Sequence, residues 1–394
     1  MQREQLTFCT IFPNYKDFHF YKDPGQIPFR FSGLGYHTCL VCYGKKKKLP
    51  VTEKHLKVIK VADHYFSRRF NTGIFLHLLL NSRKIDILNT FHLTWSSLFF
   101  TFLYKSINQR GFAYIKLDTC AIHGNNQWEQ DYSDIESNKS SSGTLKGKIK
   151  SWITWRYFIR RVDLFSIEDD HSKDLFEAKY AFMKGKLITV YNGHTSDLPG
   201  SSGTCRIEDK EDIILTAGRL GTYQKATETL LEAFSKIAPV TKYNLHLAGT
   251  VEPAFQDQIA KYLGPGKDIN DRVIFHGPLK RDELYRLYSR AKIFCLPSRH
   301  EGMAIVFPEA MFYKDVIVTT HSGSLKPLID KFHFGLVINK DNPEELAEAL
   351  LKLITDDDLR QQMAQNAYDT AMTLLNWENI AEVLSSEIQA RIIR

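Results

Sequence analysis

Two segments of this chain concentrate residues that could do chemistry. The first is Ser298-Arg-His-Glu301-Gly-Met-Ala-Ile-Val-Phe-Pro-Glu309, two carboxylates with seven residues between them. It follows the apolar run Lys292–Leu296, which reads as a strand, and it opens a helix. Glu301 then falls in the loop and Glu309 about two turns in, at about 1.5 Å per residue. The N–H groups of Gly302, Met303, Ala304 and Ile305 lie between them, at a helix N-terminus that favours a phosphate. The order is hydroxyl acceptor, phosphate cradle, hydroxyl acceptor. A nucleoside diphosphate sugar presents hexose hydroxyls, diphosphate and ribose hydroxyls in that same order. Alone, the pair also describes two solvated helix carboxylates. The second segment is Thr216-Ala-Gly218-Arg219-Leu-Gly-Thr-Tyr-Gln-Lys225. Gly218 permits close backbone approach, and Arg219 and Lys225 place two cations near a strand end and a helix start. They could neutralise a diphosphate, the arginine in bidentate fashion.

The elements that must position these residues alternate short apolar strands with amphipathic helices, an α/β pattern with parallel sheets. In the second half, strands are predicted at Asp212–Ala217, Tyr243–Ala248, Arg272–Phe275, Lys292–Leu296, Val316–Thr319 and Leu336–Ile338. A helix is predicted over Lys225–Ile237, and helix alone after Pro343, ending in Trp377–Ile393. In the first half the candidates are Leu6–Ile11, Thr38–Cys42, Leu56–Val61, Asp86–Asn89, Ala113–Leu117, Asp163–Ser166 and Leu187–Val190. Glu129–Lys148 is polar and Ser-rich and reads as a loop. Ser-Asp-Leu-Pro-Gly-Ser-Ser-Gly within 194–211 reads as a linker. The expected organisation is therefore a Rossmann-like domain at 1–193, the linker, a second Rossmann-like domain at 212–375 and a terminal helix at 376–394 that packs back on the first. Two doubly wound domains facing a central cleft place a ligand beyond the carboxyl ends of their strands.

Together the two segments resemble the nucleotide-binding domain of GT-B glycosyltransferases, specifically glycosyltransferase family 4. The resemblance runs from about Ile213 to Leu384. It rests on Gly218-Arg219-Leu220 with Lys225, His276-Gly277-Pro278, Leu296-Pro297-Ser298, Glu301-Gly302, Pro308-Glu309-Ala310 and Asn342-Pro-Glu-Glu-Leu-Ala. In the first half, Lys22-Asp-Pro-Gly25-Gln-Ile-Pro, Tyr114-Ile-Lys-Leu-Asp118 and Asn192-Gly193 resemble members from bacterial surface-polysaccharide pathways. The resemblance implies that Arg219 and Lys225 bind the donor diphosphate and that Glu301 contacts the sugar hydroxyls. The amides of Gly302–Ile305 would meet sugar and phosphate, Glu309 would hold the ribose, and Pro278 and Leu279 would border the base. Ala226 stands where the family often has Gly after the lysine, and Ala304 where a second Gly is common in the glutamate motif.

For the first half, Gly25 is expected in the loop after the first strand, where family members approach the diphosphate. His92 follows the strand Asp86–Asn89, and Asp118 ends the strand Ala113–Leu117 where relatives often carry a histidine. Asp118 is a candidate general base or donor-orienting group, or else a turn residue. His92 is a candidate acceptor contact or a buried histidine. The resemblance implies transfer of a hexose with retention, from a nucleotide sugar to a glycan or lipid-linked acceptor. A UDP-sugar is the favoured donor. Arg219, Lys225 and the helix amides would stabilise charge developing on the leaving phosphate. No Asp-x-Asp of the metal-dependent kind is seen, and Asp169-Asp170 reads as a helix start, so no cofactor and no essential metal are expected. A sugar-nucleotide epimerase, a phosphorylase or a non-catalytic nucleotide-sugar sensor on the same fold are the alternatives.

Composition sets the outer bounds. The chain has 394 residues, 43% hydrophobic and 25% charged, as in a globular protein of two domains. Residues 1–190 hold 29 basic and 17 acidic side chains, the remainder 23 and 28. A basic first half suits a polyanionic partner. Lys45–Lys48 is one run of cations. Lys146, Lys148, Lys150, Arg156, Arg160 and Arg161 interleave with Trp152, Trp155, Tyr157 and Phe158, a pattern suited to an anionic membrane surface. No nucleic-acid recognition motif is present, so nucleic acid is not expected. Six scattered cysteines, with Cys39-x-x-Cys42 on a strand, read as free thiols in a reducing compartment. The expected place is cytoplasmic, peripheral on the inner face of the plasma membrane, with no membrane span and no secretory signal.

Overall fold

The computed structural model describes residues 5–63, 65–67, 70–117, 157–195, 205–263, 269–321 and 325–392. Asp118, the segment Glu129–Lys148, Lys150, Trp152, Trp155, Arg156 and most of the Ser-rich stretch of 194–211 lie outside them. The described chain forms two compact units. One holds its residues through Tyr191 together with Trp377–Ile392, and the other runs Asn192–Asn376.

The first unit is built on strands β1 (Thr7–Ile11), β2 (His37–Tyr43), β3 (Val58–Val61), β6 (Ile87–Phe91), β7 (Phe112–Lys116), β8 (Leu164–Ile167) and β9 (Leu187–Thr189), with a small β4–β5 pair (Tyr65–Ser67, Phe70–Asn71) beside it. The sheet order is β3-β2-β1-β6-β7-β8-β9, and every neighbouring pair is parallel. β6 and β7 are buried along their whole length, as central strands of a parallel sheet are, with Asn89, Thr90 and Lys116 as their buried polar members. Helices α1 (Asp23–Gly33), α2 (Pro50–His55), α3 (Thr72–Asn81), α4 (Trp95–Ile107) and α5 (Asp170–Lys179) connect them. Asp169 caps α5, its carboxylate accepting from the Ser172 amide at 2.7 Å. Cys39 packs toward the cluster of Ile74 and Leu78, whereas Cys42 belongs to that of Tyr15 and Leu40. The two thiols therefore face opposite sides of β2.

The second unit is a six-stranded sheet in the order β12-β11-β10-β13-β14-β15, again parallel throughout. Its strands are β10 (Glu211–Ala217), β11 (Asn244–Ala248), β12 (Val273–Gly277), β13 (Ala291–Leu296), β14 (Val316–Thr320) and β15 (Gly335–Ile338). Its helices are α6 (Thr227–Ile237), α7 (Gln256–Tyr262), α8 (Arg281–Arg290), α9 (Val306–Phe312), α10 (Leu325–Phe332), α11 (Pro343–Thr355) and α12 (Asp357–Thr373). Asn342 caps α11 by accepting from the Glu345 amide at 3.0 Å, with Pro343 in the first turn. His194 and Thr195 are buried in this unit, the His194 ring stacked on Phe312 at 4.4 Å.

The last helix, α13 (Trp377–Ile392), lies in the first unit against α1. Trp377, Ile380, Ala381, Leu384 and Ile388 join Ile27 and Phe31 in one cluster. Arg30 pairs with Glu378 at 2.5 Å, and the Tyr36 hydroxyl meets Ser385 at 2.7 Å.

Sheet order reverses between β1 and β6 in one unit and between β10 and β13 in the other. Loops diverge at these reversals and open a crevice at the carboxyl edge of each sheet.

Candidate donor site and first-unit sheet edge

In the second unit, the loops after β10 and β13 flank the reversal, and both candidate segments lie in them. Three glycines end adjacent strands. Gly218 follows β10, Gly249 follows β11 and Gly277 closes β12. The Gly218 amide donates to Ala248 at 2.9 Å, and the Gly249 amide to Gly277 at 2.8 Å. Gly249 has φ +137, and a Cβ there would stand 1.8 Å from the Gly218 carbonyl oxygen. Only glycine lets these loops touch, and the backbone at this rim stays uncovered.

Beyond the rim, Glu301 is 6% exposed and collects three donors on one oxygen. Ser298 donates to Oε1 at 2.9 Å, Gln224 at 3.4 Å, and Lys225 forms a close ion pair with it. Arg219 is exposed and donates to the Gln224 side-chain oxygen at 2.8 Å. Arg219, Gln224, Lys225 and Glu301 thus form one chain of contacts across the two loops. Arg299 locks those loops, donating to the Tyr223 carbonyl at 2.7 Å and pairing with Glu228 and Asp341, each at 2.6 Å. The turn Gly302–Ile305 follows, with the Met303 carbonyl accepting from Asn192 at 2.9 Å.

Two expectations change here. The helix after the glutamate begins only at Val306, so Glu309 stands in its first turn, not two turns in. The Phe307 amide donates to Ala304 at 3.0 Å, which makes 302–305 a turn that feeds the helix. Likewise α6 begins at Thr227, because Ala226 takes φ +47 and ψ 45. That left-handed conformation is the one glycine adopts without strain, which gives a physical reason for a glycine there.

Glu309 is 4% exposed and forms an ion pair with Arg281 of α8, with the Tyr288 hydroxyl 3.4 Å from its other oxygen. Burial alone would lower the Arg281 guanidinium, but the Glu309 carboxylate and Tyr285 more than reverse this, so it is raised. Burial, then Glu309, pushes Tyr285 up to about 12, so its hydroxyl remains protonated at neutral pH. Pro278 is exposed and Leu279 half-buried just past β12, ahead of α8.

In the first unit, Gly25 is not in a loop. It lies in the first turn of α1, where Asp23 and Pro24 start the helix, and a Cβ there would stand 2.3 Å from the Phe20 Cα. Glycine here serves helix packing. His92 is exposed at the end of β6, with φ +58, and donates its amide to the Lys116 carbonyl at 2.8 Å.

Sequence reasoning missed Gln224, Arg281, Arg299 and the tyrosines of α8. For Arg281 a signal existed: Arg281, Tyr285 and Tyr288 recur at i, i+4 and i+7, one face of a helix. Arg219 lies only five residues from Gln224, but the partners that tie Gln224 to the second loop, His300 and Glu301, lie 76 and 77 residues away.

Residues 204–370 match the family model of the Glycosyl transferases group 1. A D-inositol 3-phosphate glycosyltransferase of Corynebacterium jeikeium is 35% identical over 265 residues, 64% of this chain and 62% of that protein. An uncharacterized glycosyltransferase of Methanocaldococcus jannaschii is 30% identical over 177 residues, 45% of this chain and 44% of that one. In both cases the match spans less than two thirds of the relative's own length. Among solved structures, Anabaena HepE in complex with UDP aligns over 98% of this chain and all 100% of that one, with a TM-score of 0.68 at 14% identity. The two parallel, doubly wound units are the GT-B fold.

Proposed function

We propose, for a chain whose residues 204–370 belong to the group 1 glycosyl transferases, that it transfers a hexose from a nucleoside diphosphate sugar to a glycan or lipid-linked acceptor. The observation that carries this reading is the contact chain Arg219–Gln224–Lys225–Glu301 beside the glycine rim. It sets two cations for a diphosphate next to a buried carboxylate for sugar hydroxyls. Lys225 has three N–H groups, so it can hold Glu301 and a phosphate oxygen together. Arg219 and Lys225 stabilise the charge that develops on the leaving phosphate more than the ground state. That phosphate oxygen takes the acceptor proton on the same face, which gives retention. With both cations in place, no metal is essential in this mechanism. Glu309, held by Arg281, accepts from the ribose hydroxyls.

UDP is the favoured nucleotide, in keeping with the UDP bound to HepE. The product belongs to a cell-surface glycan. We place the enzyme on the cytoplasmic side, peripheral to anionic lipid through the exposed Lys45, Lys46 and Lys48 and the basic, aromatic stretch 146–161. Among the described residues, no helix is long and apolar enough to cross a membrane.

The test is a panel of UDP-, GDP-, ADP- and dTDP-sugars scored by thermal shift, with donor hydrolysis followed in parallel. One donor should stabilise the protein and be consumed slowly, and Glu309→Ala should remove the shift. Binding without turnover in the presence of acceptor extracts would favour a sensor.

A further inference from the structure

A charged cluster at the carboxyl edge of the first sheet stands apart from the contact chain of the second unit's loops. Lys116 ends β7 and is 1% exposed. Among the described residues its ammonium makes one hydrogen bond, a long one of 3.3 Å to the Val190 carbonyl. Asp23, opening α1, and Glu168, just past β8, each stand 3.9 Å from the same nitrogen. A lysine and a carboxylate that exist to pair close to about 2.8 Å. Here two contacts both stop short, and the buried ammonium is left with that one long hydrogen bond.

The gap has a specific size. A hydroxyl oxygen about 2.8 Å from a nitrogen and about 2.7 Å from a carboxylate, with a right angle between, spans about 3.9 Å. The ammonium would donate to that hydroxyl, and the hydroxyl would donate to the carboxylate. The location also fits a ligand. β1, β6, β7 and β8 are consecutive in the sheet, and the order reverses between β1 and β6. The Asp23 side chain is 22% exposed, so the cluster is reachable. Burial raises the Asp23 carboxyl more than Lys116 lowers it, as expected where the pair is loose.

We propose that Lys116, Asp23 and Glu168 form a hydroxyl-binding site for the acceptor, one that takes a neutral sugar and rejects a phosphate. Lys22 and His92 act on Asp23 more weakly than Lys116 and Glu168 do, so two carboxylates against one ammonium govern the gap, which disfavours an anion. As an acceptor site, this rests on the transferase reading above.

The experiment is saturation-transfer NMR on the full chain, with methyl glycosides of glucose, galactose, mannose and N-acetylglucosamine, and with glucose 6-phosphate. UDP and GDP binding are followed by thermal shift in the same samples. At least one glycoside should bind the wild type, glucose 6-phosphate should not, and Lys116→Met should weaken the glycoside at least tenfold. Glu168→Gln keeps the shape and should do the same, which protects the test if Lys116→Met fails to fold. Nucleotide shifts should be unchanged in both variants. A wild type that binds nucleotide but no glycoside overturns the site. So does undiminished glycoside binding by Glu168→Gln, or equal binding of glucose 6-phosphate. Glycoside binding that depends on Lys116, without any nucleotide shift, supports the hydroxyl site and sinks the transferase reading instead.

Discussion

Glu301→Gln separates the sugar-binding role of Glu301 from the phosphate-binding role of its neighbours. In the structure one Glu301 oxygen takes Ser298 at 2.9 Å, Gln224 at 3.4 Å and Lys225, and the side chain is 6% exposed. A hydrogen bond from a sugar hydroxyl to that buried carboxylate is worth about 1.5–3 kcal/mol, and an amide keeps only a neutral share of it. The UDP-sugar should therefore bind about ten- to a hundredfold more weakly. UDP itself lacks the hexose. Its diphosphate meets Arg219 and a Lys225 that no longer faces an anion, so its affinity should stay equal or rise. Calorimetric titration of UDP and UDP-glucose against wild type and variant reads both numbers, or of GDP and its sugar if the donor panel selects GDP. A melting curve checks that the variant is folded. Equal losses for the two ligands would refute the division of labour, and an unchanged sugar-nucleotide affinity would remove Glu301 from the site.

Gly249→Ala forces a Cβ to within 1.8 Å of the Gly218 carbonyl oxygen at φ +137, so the rim must open. We expect a loss of about 2–3 kcal/mol in denaturant unfolding, together with loss of the nucleotide-induced shift. Ala226→Gly relieves a left-handed alanine at φ +47 and should raise stability by up to about 1 kcal/mol with donor binding intact. Asp315 is buried, and burial pushes its carboxyl from 3.8 up to about 8 against the pull of Lys210, 2.5 Å away. The folded state therefore holds this proton more tightly than the unfolded chain does. Its contribution is fully present below pH 3.8 and is lost as pH rises toward about 8. Urea unfolding at pH 5 and pH 8 should show this decline in wild type beyond that of Asp315→Asn, and parallel pH curves for the two proteins would refute it.

Strand positions were legible within a residue or two because parallel strands buried on both faces leave apolar runs. Leu6–Ile11 became Thr7–Ile11, Asp163–Ser166 became Leu164–Ile167, and Arg272–Phe275 became Val273–Gly277. The resemblance puts Gly25 in a loop, and the Asp23-Pro24 pair before it decides otherwise. A proline in a first turn costs no hydrogen bond, so the helix starts there and the glycine is carried into it. The late start of α6 at Thr227 was hidden for a related reason. An alanine at a left-handed position looks like a helix former until its φ is known.

The two halves differ in how they write their chemistry along the chain. In the second unit, two loops of about ten residues each carry glycine, cations and carboxylate, because a diphosphate is met largely by backbone and by charges beside it. Such a site leaves compact, ordered segments in the sequence. The Lys116 cluster is composed instead of single side chains from the start of α1, the end of β7 and just past β8, at 23, 116 and 168, and nothing in the residue order joins the three. A lysine ending an apolar strand reads only as a strand end. What distinguishes Lys116 is a pair of 3.9 Å gaps around a buried ammonium, and a gap is a property of three dimensions. Recognition of a neutral hydroxyl needs that kind of placement, since such a group offers no net charge for a cluster of cations to meet. A site for a sugar hydroxyl is thus the harder of the two to read from a sequence, and its distances carry the information that the residue order does not.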